Sequence, residues 1–259
     1  MIFVNYMLSV YPDITKKFEG EIWRLEIDDK TNNLLLEIRN EADKQVSFAS
    51  LNIETGKVNF EDFTLDERWL AGLESAYKGV LLLHNYESAN APVHKAVIAI
   101  DEQTGETLWS NYTMAFDHLS VNGPVVYSTQ FLPKKLYVAD IQTGFMIRPY
   151  NAVIDTEFTN TITVPDMVDA SAIASLNIPI EPYGGFVHYV EYNGYRIVSL
   201  HTRGERSLEQ YLFIIDKNGG VNKVLLNTDI QKLQPEAFVL HKNRLICLKN
   251  KTEVLIFKL

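Results

Sequence analysis

One phrase recurs along this chain and constrains its fold more than any other feature. An apolar run meets an Asp or Asn, two variable residues and a small residue with Gly, and then a second strand-like run begins. The copies are Val46 to Leu51 into Asn52-Ile53-Glu54-Thr55-Gly56, Ala96 to Ile100 into Asp101-Glu102-Gln103-Thr104-Gly105, Leu136 to Ala139 into Asp140-Ile141-Gln142-Thr143-Gly144, and Leu212 to Ile215 into Asp216-Lys217-Asn218-Gly219-Gly220. Asp and Asn bond their own backbone and Gly accepts positive φ, so the phrase encodes a tight strand-to-strand turn. A turn phrase repeated every few dozen residues marks a repeat architecture.

A second recurrence is independent of the first. Asn32-Asn33, Lys78-Gly79, Asn122-Gly123, Asn193-Gly194 and Lys242-Asn243 each run straight into an apolar stretch, as a hairpin does. The first four hairpins are each followed by one turn phrase, which gives a repeated meander of four strands. That period predicts an all-β fold: a β-propeller of five four-stranded blades, with six as the alternative. The fifth hairpin leads into Glu253 to Leu259 and lacks a last strand. The N-terminal strand, expected at Ile2 to Val10, would close this C-terminal blade, and Glu21 to Ile27 would be the innermost strand of the first. The whole chain, 1–259, reads as one domain with an insertion at about 149–182, where neither signal occurs. That stretch is expected as a long loop, with a degenerate sixth blade as the alternative.

The chain of 259 residues is 46% hydrophobic, enough for a sizeable core, and carries a net charge of −9. A binder that tracks phosphates needs a basic stripe, so no nucleic-acid partner is expected. The single cysteine, Cys247, excludes an internal disulfide and cysteine-rich zinc sites, and reads as a buried, inert thiol. The N-terminal residues lack the pattern of a signal peptide and are too few to span a membrane. A cytoplasmic location is therefore expected.

Val97 to Asp101 followed by Glu102-Gln103-Thr104-Gly105-Glu106-Thr107-Leu108-Trp109 resembles the blade signature of quinoprotein-type propellers. Gln45 to Phe60 and Leu136 to Ile147 are weaker copies without the Trp. The resemblance implies blade architecture and says nothing about activity. Quinoprotein dehydrogenases hold their cofactor over adjacent cysteines with calcium, and this chain has one cysteine. By the same repeats it is similar to the propeller scaffold of outer-membrane assembly machinery, although no lipobox is present.

No nucleophile elbow, zinc-protease motif, Walker loop or dinucleotide fingerprint occurs. The six histidines are His84, His94, His118, His188, His201 and His241, and none shows a paired ligand spacing. His84, His188 and His241 lie in or beside hairpins and could converge at a ring axis. Acids expected on innermost strands are Glu26, Glu74, Asp117 (or its neighbour His118), Glu191 and Glu236, and acids around a funnel could support glycoside hydrolysis. Trp109 reads as packing between blades. No catalytic constellation stands out, so the expected function is a non-enzymatic interaction module for a protein or peptide partner, without cofactor or metal. A glycoside hydrolase-like enzyme is the alternative. The working face is expected where the longer loops gather, with Trp69, Tyr86, His118 and Tyr183 as contacts.

Overall fold

The computed structural model describes residues 11–234 and 238–259. The chain divides into two compact units, one formed by Phe18–Asn160 and the other by Thr161–Leu259 with the stretch that ends at Lys17. Strand β1 (Ile14–Lys17) opens the described chain and belongs to the latter.

Phe18–Asn160 consists of three antiparallel meanders. The first holds β2 (Glu21–Asp28), β3 (Asn33–Asn40), β4 (Gln45–Asn52) and β5 (Val58–Phe63). The second holds β6 (Ala71–Tyr77), β7 (Val80–Ser88), β8 (Ala91–Asp101) and β9 (Thr107–Asn111). The third holds β10 (Met114–Ser120), β11 (Gly123–Ser128), β12 (Leu136–Ala139) and β13 (Met146–Pro149). Their turns use the expected chemistry. Asp101 Oδ1 accepts from the backbone N of Gln103 and Thr104 and from the Thr104 hydroxyl, and Gly105 closes the turn at φ +74°. Asn52 and Asp140 repeat this arrangement.

Second and third strands are buried on both faces. Leu34, Leu35, Leu36, Leu81, Leu82 and Leu83 are all fully enclosed, which explains their unbroken apolar runs. The second sheet packs against both others. Leu81 and Ile98 meet Leu35 and Phe48 on one side, while Leu82 and Val97 meet Met114 and Val126 on the other. Aromatics of the fourth strands rest on the turn glycines of the next sheet. A Cβ on Gly105 would lie 3.1 Å from the Phe60 ring, and one on Gly144 would lie 2.6 Å from the Trp109 ring. Trp109 Nε1 also donates to the Ile141 carbonyl at 2.9 Å, so its expected role between sheets is met.

The first strand of each of these three sheets carries one extra residue. Ile22 and Arg24 face consecutive residues of β3, Leu73 and Ser75 face consecutive residues of β7, and Phe116 and His118 face consecutive residues of β11. Trp23, Glu74 and Asp117 are therefore the bulged residues. A bulge bends its strand and re-aims a side chain, and here it does so three pairs from the hairpin in the second and third sheets and five pairs from it in the first.

The other unit holds two five-stranded sheets. The stretch 149–182 ends in β14 (Ile162–Thr163), β15 (Asp166–Asp169) and a 3₁₀ turn at Ala170–Leu176. After it come β16 (Phe186–Tyr192), β17 (Tyr195–Arg203), β18 (Leu208–Ile215) and β19 (Val221–Ile230), then β20 (Phe238–His241), β21 (Arg244–Lys249) and β22 (Glu253–Lys258). Strand orders are β15-β16-β17-β18-β19 and β1-β22-β21-β20-β14. Four strands per sheet is thus corrected to five here. The chain after residue 160 runs past two open sheet edges and satisfies their backbone groups, forming neither a free loop nor a sheet of its own.

The last sheet is completed by β1, which pairs Ile14 with Ile256 and Lys17 with Glu253, while Asp13 accepts from Lys258 N at 2.7 Å. The expected strand at Ile2 to Val10 lies outside the described residues, and the pairing strand is Ile14–Lys17. Glu21–Asp28 begins the first meander, as expected. Cys247 is buried beside Leu255, and burial pushes its thiol pKa well up. No helix among the described residues is long and apolar enough to cross a membrane.

Candidate functional site

Three neighbouring strands of the second sheet bring two imidazoles and a carboxylate together. Glu74 is the bulged residue of β6, His84 lies on β7, and His94 on β8. Their ligand-type atoms lie within 4.8 Å of one another. His94 Nδ1 is 2.8 Å from Glu74 Oε2. His84 Nδ1 is 2.9 Å from the same oxygen, but out of line for a hydrogen bond. The rings of His84 and His94 are stacked, with centroids 3.6 Å apart and planes at 8°.

The local backbone is shaped for this packing. Ala96 on β8 takes a φ of +63°, beside a register shift opposite His84. On β6, a Cβ at Gly72 would fall 2.8 Å from His84 Cε1 and Nε2, so only glycine leaves room for the ring. Tyr86 turns its ring edge-on to both imidazoles, at 4.7 and 5.2 Å. Arg24 secures the bulge by donating to the Leu73 and Glu74 carbonyls at 2.9 and 3.0 Å.

His84 is only 1% exposed; its Nε2 has no hydrogen-bond partner among the described residues, and its Nδ1 has only the contact with Glu74. A buried polar group without a partner is expensive and calls for an explanation. Burial raises the Glu74 pKa, but its two histidine neighbours outweigh that and hold it below the ordinary carboxylate value. Glu26 moves the other way. Burial raises its pKa despite the Arg24 guanidinium 3.1 Å away.

Glu74 also faces a polar cleft of about 220 Å³ within the same unit, lined by Arg24, Glu26, Phe116, His118, Glu157 and Asn160 among others. Beside it, Asp117 bonds His118 Nδ1 at 2.8 Å and pairs with Lys134, which anchors the loop after β11. That loop exposes Phe131 (71%) and Leu132 (94%).

The residues singled out from sequence are dispersed. Tyr86 lines the histidine cluster and His118 lines the cleft. Trp69 is half-buried under the Arg39 guanidinium, 5.1 Å from its ring centre, with Lys44 at 4.8 Å. Tyr183 lies in the other unit, in a hollow shared with Glu181, Thr202 and Arg203. Of the expected acids, Glu26 and Glu74 share the cleft with His118. Glu191 bonds the Tyr189 hydroxyl in the other unit, and Glu236 lies outside the described residues. His241 lies 3.1 Å from the Thr161 hydroxyl, also in the other unit.

His94 and the pairing of Glu74 with His84 were missed. The hairpins bring the three strands together, but a regular register would set Leu73 opposite His84 and Val93 opposite Tyr86; the register shifts put Gly72 and His94 there instead, and nothing in the sequence marks them.

A family model described as a domain of unknown function (DUF4905) matches residues 27–109. The match is less than half of the chain and includes Glu74, His84 and His94. No curated protein matches the chain. Among solved structures, it is similar to Raptor of Chaetomium thermophilum at 8% identity and a TM-score of 0.42, over 96% of this chain and 28% of that one. It is similar to hydrazine synthase of Kuenenia stuttgartiensis at 12% identity and a TM-score of 0.27, over 95% of this chain and 79% of that one. The chain thus spans little more than a quarter of the Raptor chain, and neither likeness bears on what it does.

Proposed function

We propose that the five sheets are the blades of a β-propeller related to the quinoprotein-type repeats, and that it works as a non-enzymatic module binding a protein or peptide segment. The five consecutive meanders, and the N-terminal strand that supplies a strand to the last of them, support the propeller reading.

One observation carries the binding reading. The exposed Phe131-Leu132 tip is tied, through Lys134, Asp117 and His118, to a cleft holding Glu26, Glu74 and Glu157. An apolar tip beside an acidic cleft suits an extended segment with a Lys or Arg next to an apolar side chain, and the net charge of −9 favours its approach. Fluorescence anisotropy with short peptides of that composition tests this. Binding should weaken on replacing Phe131 and Leu132 by Ser, and with added salt. Equal binding of acidic control peptides would refute it.

A second reading has its own support. Glu26 and Glu74 share a cleft while their surroundings push their pKa values in opposite directions, the pattern of an acid and a base in glycoside hydrolysis. Turnover of aryl glycosides, lost in both Glu26→Gln and Glu74→Gln, would favour that reading over the first.

A further inference from the structure

We propose that Glu74, His84 and His94 form a binding site for a divalent transition-metal ion of the zinc class. The proposal does not rest on the peptide-binding reading and concerns the imidazoles beside Glu74 Oε2.

The donor set comes first. Two imidazole nitrogens and one carboxylate oxygen suit zinc and its neighbours, whereas magnesium and calcium prefer all-oxygen sites. Three protein ligands with an open fourth position are a known zinc arrangement. Geometry comes second. Zinc bonds of roughly 2.0–2.2 Å place tetrahedral ligands about 3.3 Å apart. The two Nδ1 atoms stand 2.8 and 2.9 Å from Glu74 Oε2, but the rings are stacked at 8°, and an imidazole donates in its own plane, so the His94 ring turns out of the stack as the ion enters.

Independent of both is the state of His84. It is 1% exposed, its Nε2 has no hydrogen-bond partner among the described residues, and its Nδ1 has only the out-of-line contact with Glu74. An inert packing histidine would be expected to bond at least one nitrogen. An ion coordinated by one of them accounts for its burial there.

The surroundings are rigid where a ligand set needs rigidity. The bulge at Glu74, the Gly72 cradle, the Tyr86 edge and the Arg24 bonds to the β6 carbonyls hold Glu74 and His84, and the more exposed His94 is the ring that turns. The side chain of His94 is 31% exposed, which leaves a path for the ion and room for a solvent ligand.

The test uses the full chain stripped with a chelator, then titrated with zinc against a chromophoric competitor. One equivalent per chain should bind. Glu74→Gln and His94→Asn should each weaken binding at least about 10-fold, since losing even an outer-shell partner does that much. No retained zinc, or equal affinity in both variants, would overturn the proposal. A measurement on the unaltered chain covers the case of a misfolded variant. Zinc should shield His94 from carbethoxylation mapped by mass spectrometry, and an unchanged modification rate would overturn the site.

Discussion

The first two sheets solve one geometric problem with different chemistry. Each carries a bulge in its first strand, at Trp23 in β2 and at Glu74 in β6. At the matching register of the second strand stand Arg39, opposite Glu21, and His84, opposite Gly72. Arg39 is fully used. It donates to Glu37 at 2.7 Å and to the Trp69 and Ala71 carbonyls, and its guanidinium sits between the Trp23 and Trp69 rings. His84, at the same distance from its bulge, leaves Nε2 without a hydrogen bond among the described residues and stacks on a second imidazole beside a carboxylate. One bulge is spent on packing. The other leaves three ligand-type groups converging, and that difference, more than burial or charge, makes it the candidate site.

Removing Arg39 should give the largest effect. Arg39→Met leaves the Glu37 carboxylate, 3% exposed, without its cation, and breaking such a pair costs roughly 3–5 kcal/mol. Urea unfolding measures this, and a loss below about 1 kcal/mol would break the comparison from its structural side.

A second buried carboxylate sharpens the contrast. Glu102 is fully buried, accepting from the Thr31 hydroxyl and the Asn33 amide, and burial followed by the nearby Asp28 charge raises its pKa to about 8. The folded state then keeps a proton that the unfolded state releases near pH 4.5. Its contribution is complete below that pH and is lost as pH rises towards 8. Between pH 5 and 8 stability should fall by about 3 kcal/mol from this group, and Glu102→Gln should abolish that slope in urea melts across the range. A slope that persists would remove Glu102 as its source.

Gly72→Ala should cost about 1–3 kcal/mol, the usual penalty for overpacking, because the new Cβ meets the His84 ring. An unchanged melting temperature would mean that the ring moves freely, contrary to a fixed ligand position. Glu74→Gln should have the smallest effect on the metal-free chain, about 1 kcal/mol. Its sign is opposite to that of Glu102. The Glu74 pKa is held low, so its stabilisation is present above the ordinary carboxylate value and lost as pH falls through the folded one. Acid unfolding below pH 4.5 should become shallower in the variant.

The fold was readable in the sequence wherever the code is local. Asn193-Gly194, at φ +48° and +82°, and the Asp101 turn need only their own residues to specify a reversal. The all-β class and the five meanders followed from those signals. Ile162–Thr163 and Asp166–Asp169 were not readable, since so short a pair of strands around Pro165 has no alternation and is held by the edges it meets. Nor was the candidate site. Glu74, His84 and His94 come from three strands, and the bulges at Glu74 and Ala96 shift the register that would have aligned them. Such bulges arise from sheet packing and leave no turn residue behind as a signature.

X-ray absorption at the zinc edge, on the chain loaded with one equivalent, tests the central claim most directly. The account predicts a first shell with two imidazole nitrogens at roughly 2.0–2.1 Å and a carboxylate oxygen at roughly 2.0–2.2 Å. The same shell should appear in Glu102→Gln and lose its carboxylate in Glu74→Gln. A shell of oxygens alone, or one that Glu74→Gln leaves unchanged, would contradict it.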